Sequence, residues 1–143
     1  HLATVTNVKR QRDPDQRCWV ETDTSEVFML DTTMEQALFP VVSATRADAE
    51  PTLLADVTGI SCNFDVIAPA VAVPDVAPGE VIAFLHTGAY QEASAANFNG
   101  LPRPATVLVC GATAEVVKRR ETIADVLGRD IVPERLRAAG GAS

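Results

Sequence analysis

Short β-branched and apolar runs, broken by turn signals about every 8 to 12 residues, dominate this chain and limit what it can fold into. Runs this short cannot make long helices, so their backbone groups must be satisfied across strands. Residues 2–8, 18–21, 27–30, 41–45 and 53–60 read as strands. Residues 81–85 and 105–110 read as buried strands. Residues 68–77 are extended but too rich in proline for a central strand. Asp13-Pro14-Asp15 and Pro78-Gly79 are turns. Residues 32–38 make one helical turn or a loop, and residues 92–96 a short helical turn. Apolar positions Val116, Ile123, Val126 and Leu127 predict a helix over 115–127, stopped at Gly128, and Pro133 suits the start of a last one. The pattern is mainly β, a closed barrel or sandwich over residues 1–137 with one or two helices at its end. Residues 138–143 read as a disordered tail.

A chain of 143 residues fits one domain with a real core. Its net charge of −7, with scattered basic residues, argues against binding a nucleic-acid backbone. No apolar stretch approaches the roughly 18 residues that span a bilayer, and no signal segment opens the chain. Cys18, Cys62 and Cys110 fit no metal spacing, so reduced thiols and a cytoplasmic location are expected. The abrupt start at His1 predicts a piece of a longer protein.

The chemistry concentrates in Gly59 to Asp65 and in Gly88-Ala89-Tyr90. A free Cys in a β-rich domain is ordinarily a small buried hydrophobe. Cys62 differs in its neighbours: Gly59 permits a sharp turn, Asn63 is polar, and Asp65 adds a carboxylate on the same loop. A thiol so placed can donate a proton. Taken alone, Asp65 is a turn residue and Tyr90 a half-buried aromatic. Cys18 and Cys110 read as core, His86 as a structural histidine, and Arg119-Arg120 as a solvated helix face. Phosphate-binding glycine loops, nucleophile elbows and HExxH are absent, and neither Lys9 nor Lys118 lies in an apolar run.

Gly59-x-x-Cys62 with Asp65, Pro78-Gly79-Glu80, Gly88-Ala89-Tyr90, Asn97-Phe98-Asn99-Gly100 and Pro102-Arg103-Pro104 occur in this order. The series resembles the C-terminal domain of the fold-type III pyridoxal-phosphate decarboxylases, which act on diaminopimelate, ornithine, lysine or arginine. The resemblance is close from about residue 53 to 132 and elsewhere rests on strand pattern. It implies a Greek-key-type β-barrel like the C-terminal domain of alanine racemase. It also implies a missing N-terminal α/β barrel carrying the Schiff-base lysine, and a homodimer with sites between subunits. The fragment alone would be inactive. Tyr90 would reach the phosphate of pyridoxal 5′-phosphate in its own subunit. Cys62 would cross to the neighbouring site and protonate the α-carbon after carbon dioxide leaves, with Asp65 shaping the same site. A non-catalytic dimerisation or binding module and a racemase-type relative are the alternatives.

Two departures stand out. Only Asn63 and Phe64 separate Cys62 from Asp65, where the family usually has three residues, so Ser61 competes for the cysteine position. Asn63, in the substrate-binding place, is neutral where the family often has an acid that pairs with a distal ammonium. A buried ammonium facing an amide loses most of its compensation. Phe98 also stands where the family would place a Tyr. The expected substrate therefore has a far end that is neutral, acylated or recognised elsewhere. Steady-state decarboxylation of meso-diaminopimelate, lysine and ornithine by the full-length protein should be poor, and normal efficiency on any of them would refute this.

Overall fold

The computed structural model describes residues 1–10, 17–62 and 65–137. The chain divides into two compact units, residues 1–99 and 100–143. The first unit holds β1 (Leu2–Lys9), β2 (Cys18–Thr22), β3 (Val41–Ser43), β4 (Leu53–Thr58), β5 (Val66–Val73) and β6 (Val81–Phe84). They form one sheet in the order β3-β6-β1-β2-β4-β5. The edge strands β3 and β5 approach each other, so the sheet curls into a nearly closed barrel. Its pairings are antiparallel except β2 with β4, which run parallel from Cys18↔Ala55 to Glu21↔Thr58.

Alternation decides which side chains go inside. Ala3 and Val5 of β1, Val20 of β2, Ala55 and Val57 of β4, Ile67 and Val73 of β5, and Ile82 and Phe84 of β6 are buried in one core. Burying a side chain the size of Ile82 or Phe84 stabilises by about 1.5–3 kcal/mol. Thr22 is fully buried among them because its hydroxyl donates to the Thr58 carbonyl at 2.8 Å. Pro69 falls in β5, which is an edge strand where a missing N–H is tolerated.

The segment expected as a strand over 27–30 is instead a 3-10 turn, Glu26–Phe28, leading into α1 (Asp31–Met34). Ser25 explains the difference: its side chain accepts from Val27 N–H at 3.3 Å and its carbonyl from Phe28 N–H at 3.1 Å. This local capping competes with strand pairing. The second helical turn, α2, spans Gln91–Ser94.

In the second unit, β7 (Thr106–Cys110) and β8 (Thr113–Lys118) form an antiparallel hairpin. Gly111, at φ 58°, belongs to the two-residue turn between them. The long helix expected over 115–127 is therefore corrected. Its first part is strand β8, where β-branched Val116 and Val117 pair across the hairpin, and only α3 (Ile123–Leu127) is helical. Thr122 and Asp125 form the capping box that starts α3. Strand β7 is largely exposed rather than buried, and so is Cys110. Cys18 is partly buried against the core. His86 is exposed at φ 62°. Arg119 lies before α3, where its guanidinium donates to Asp125 at 2.6 and 2.7 Å. A 3-10 turn, Glu134–Leu136, follows Pro133. The expected turn at residues 13–15 and the tail at 138–143 lie outside the described residues.

Arg46 holds the turn before β6. Its Nε and a terminal nitrogen donate to the two oxygens of Glu80 at 2.7 and 3.0 Å, and Ala77 N–H adds a bond of 2.7 Å. These bonds, the Arg46 one first, hold the Glu80 carboxyl below its ordinary 4.5. A carboxyl depressed in the folded state stabilises above its unfolded value and loses that contribution as pH falls through its folded value. Replacing Glu80 with Gln should therefore lower stability at pH 7, by an amount that shrinks as pH falls below the ordinary Glu range, as read by denaturant unfolding across that range.

Candidate functional site

The site begins where β4 ends. Gly59 N–H donates to the Asp65 carbonyl at 2.8 Å, and Ile60 N–H to the Thr24 carbonyl at 2.9 Å. These bonds tie Gly59 to Asp65, and Ile60 to the segment that follows β2. Asp65 is 5% exposed. Its Oδ1 accepts from Glu26 N–H at 2.7 Å and its Oδ2 from Ser61 N–H at 2.8 Å. Glycine is required at position 59 by space: a Cβ there would sit 2.5 Å from the Thr24 carbonyl oxygen and overlap the Asp65 carboxylate.

The loop presents Ser61, partly buried, and Cys62, exposed with a free thiol. Asn99 approaches both from the segment after α2. Its Nδ2 lies 3.3 Å from Ser61 Oγ and 3.4 Å from Cys62 Sγ. Asn99 has φ 56°, a left-handed conformation that asparagine tolerates better than most residues. The sequence motif contains Asn99 but gives it no role; a donor amide beside a thiol is visible only once the chain is folded. Asn63 lies outside the described residues.

A cleft of about 580 Å3 opens beside this loop, lined by Trp19, Glu21, Thr58, Ile60, Ser61 and Cys62 among others. Lys9 pairs with Glu21 at its wall, and Asn7 Nδ2 donates to the same carboxylate at 3.0 Å. These two bonds, Lys9 first, hold the Glu21 carboxyl below its ordinary value. The cleft thus combines an apolar ring, an ion pair, hydroxyls and a thiol.

Tyr90 is 78% exposed, not half-buried. It follows Gly88-Ala89 and stands at the start of α2. Cys62 and Asp65 share one loop and Asn99 ties that loop to the stretch leading from Tyr90, all in the first unit. Among the described residues, no group of three or more His, Cys, Asp or Glu could hold a metal ion, and no helix is long and apolar enough to cross a membrane.

Substituting Gly59 with Ala should cost at least about 2 kcal/mol, because backbone and a buried carboxylate block the new methyl. Asp65→Ala should cost about 2–3 kcal/mol by stranding two backbone donors. Asp65→Asn should recover little, since its NH2 would face an N–H. Chemical denaturation reads all three, and a neutral Asp65→Ala would show that the loop is held by other means.

Residues 2–88 match the family model described as pyridoxal-dependent decarboxylase, C-terminal sheet domain. A diaminopimelate decarboxylase of Synechocystis is 38% identical over 102 residues, covering 71% of this chain and 22% of the relative. One from Methanothermobacter thermautotrophicus is 37% identical over 97 residues, covering 67% of this chain and 23% of its own length. The crystal structure of diaminopimelate decarboxylase from M. jannaschii superposes with a TM-score of 0.84 at 28% identity, over 94% of this chain and 30% of that one. This chain therefore spans less than a third of the relatives it matches.

Proposed function

Because the chain belongs to the pyridoxal-dependent decarboxylase family, as its C-terminal sheet domain, we propose that it completes the active sites of a cytoplasmic amino-acid decarboxylase built as a homodimer. In this reading an N-terminal α/β barrel binds the cofactor through its lysine. The present domain lends Tyr90 to one site and Cys62 to the site of the neighbouring subunit. The observation that carries the reading is the exposed Cys62 thiol on a loop fastened by buried Asp65, with Asn99 against its sulfur.

The residues fit a pyridoxal-phosphate enzyme in kind. The Tyr90 phenol is free of the core and able to donate to a phosphate oxygen. Neither Lys9 nor Lys118 lies in an apolar run, and this reading puts the Schiff-base lysine on the N-terminal α/β barrel. Bound cofactor supplies the electron sink for the bond that breaks. Cys62 gives its S–H proton to the α-carbon left when carbon dioxide departs and becomes a thiolate. The Asn99 amide, 3.4 Å from Sγ, donates to that thiolate until solvent returns the proton. Asp65 serves by holding the loop, since its oxygens accept from backbone N–H groups on both sides.

In the full-length protein Cys62→Ala should slow turnover by about 100-fold or more, or misdirect protonation, and leave cofactor affinity unchanged. Tyr90→Phe should weaken cofactor affinity by about 5- to 10-fold, the loss of one hydrogen bond. Turnover and equilibrium cofactor titration measure these. If neither variant differs from the parent, the domain is a dimerisation or binding module and the site assignment falls.

A further inference from the structure

We propose that Gln91 is a positioning residue that holds Tyr90 in place through the turn between them, with Asp31 as its anchor. The proposal rests on the reading of Tyr90 as a phosphate contact. Tyr90 has φ 66° and ψ −39°. Gln91 N–H donates to the Ala89 carbonyl at 2.8 Å, closing a three-residue turn around Tyr90. This is a γ-turn of positive φ, the rare and strained form. A bulky residue at such a φ is an outlier that persists only where its surroundings over-determine it.

The surroundings do so here. The Tyr90 carbonyl accepts from Ser94 N–H and from Ser94 Oγ–H, each at 2.9 Å. Gln91 is 3% exposed, and its Nε2 donates to Asp31 Oδ2 at 2.5 Å across 60 residues of sequence. Ala96 N–H adds a bond of 2.9 Å to the Val27 carbonyl, joining α2 to the same region of the barrel. The buried Oε1 of Gln91 finds no donor among the described residues. A strained turn and an unsatisfied buried acceptor therefore sit together at the base of an exposed phenol. The strained turn is accounted for if it exists to display Tyr90, with the Gln91–Asp31 bond as its anchor.

Two measurements test this. Tyr90 is the only tyrosine in the chain, so 3-fluorotyrosine gives a single 19F resonance from this protein. Gln91→Leu and Asp31→Ala should each shift or broaden that resonance, and the double variant should do no more than the larger single. A resonance that stays put while the thermal midpoint falls would make Gln91 a packing residue and overturn the proposal. In the full-length, cofactor-loaded protein, Gln91→Leu should raise the pyridoxal-phosphate Kd by about as much as Tyr90→Phe, and should add less than about twofold in the Tyr90→Phe background. A Kd raised by Tyr90→Phe but by neither Gln91→Leu nor Asp31→Ala also overturns the proposal. A Kd unmoved by Tyr90→Phe, with the 19F resonance still moved by Gln91→Leu, removes the phosphate reading and leaves the positioning role standing.

Discussion

Two backbone N–H groups from different parts of the chain, those of Glu26 and Ser61, converge on the carboxylate of Asp65. One belongs to the turn after β2, the other to the loop after β4. Charged acceptors make stronger hydrogen bonds than neutral ones, and a buried carboxylate keeps its place only while its donors are present. Each side thereby fixes the other. The closeness of this packing explains why Gly59 has no side chain, and why the backbone leaves β4 by a single path. Ser61 and Cys62 inherit their position from that path, and Asn99 can reach the thiol because the loop is there to meet it.

The barrel and the site divide the work in a familiar way: a rigid sheet supplies position, and loops supply chemistry. The apolar core is continuous through β1, β2, β4, β5 and β6. Several polar compromises sit at the barrel's loops. Asp65 is buried without being apolar, while Asn99 and Tyr90 carry positive φ. Such features cost stability locally, and a core of this extent carries them.

Much of the sheet was legible because alternation and turn chemistry are local. The strands of the first unit, the edge character of the Pro69 segment and the Pro78-Gly79 turn all follow from neighbouring residues. Sequence and structure part where two periodicities fit. Val116 and the apolar residues of α3 share a helical spacing, yet Gly111 folds β8 back on β7. The apolar run at residues 27–30 suits a strand, but Ser25 offers it a cap nearer than any strand partner. The apolar composition of residues 105–110 suits burial, but it does not say which face of a hairpin is covered. At the site, Cys62, Asp65 and Tyr90 were visible as residue types. Their surroundings were not, because Glu26, Asp31 and Asn99 come from remote positions.

The order of the strands has a bearing on how the domain comes into being. β1 lies between β2 and β6, and β6 also carries β3 on its other side. The first strand therefore waits for residues 81–84 before its second edge is covered, and β3 has no ladder at all until then. The parallel pairing of β2 with β4 likewise spans a long intervening stretch. Contacts so distant in sequence slow folding, because loop-closure entropy precedes the reward. During synthesis the early strands stand with open edges until β6 emerges, and a chain cut short before Val81 would keep them open. Such edges pair readily with other chains. For this domain, the strands that lie earliest in the chain have their ladders completed only by the segment that ends at Phe84.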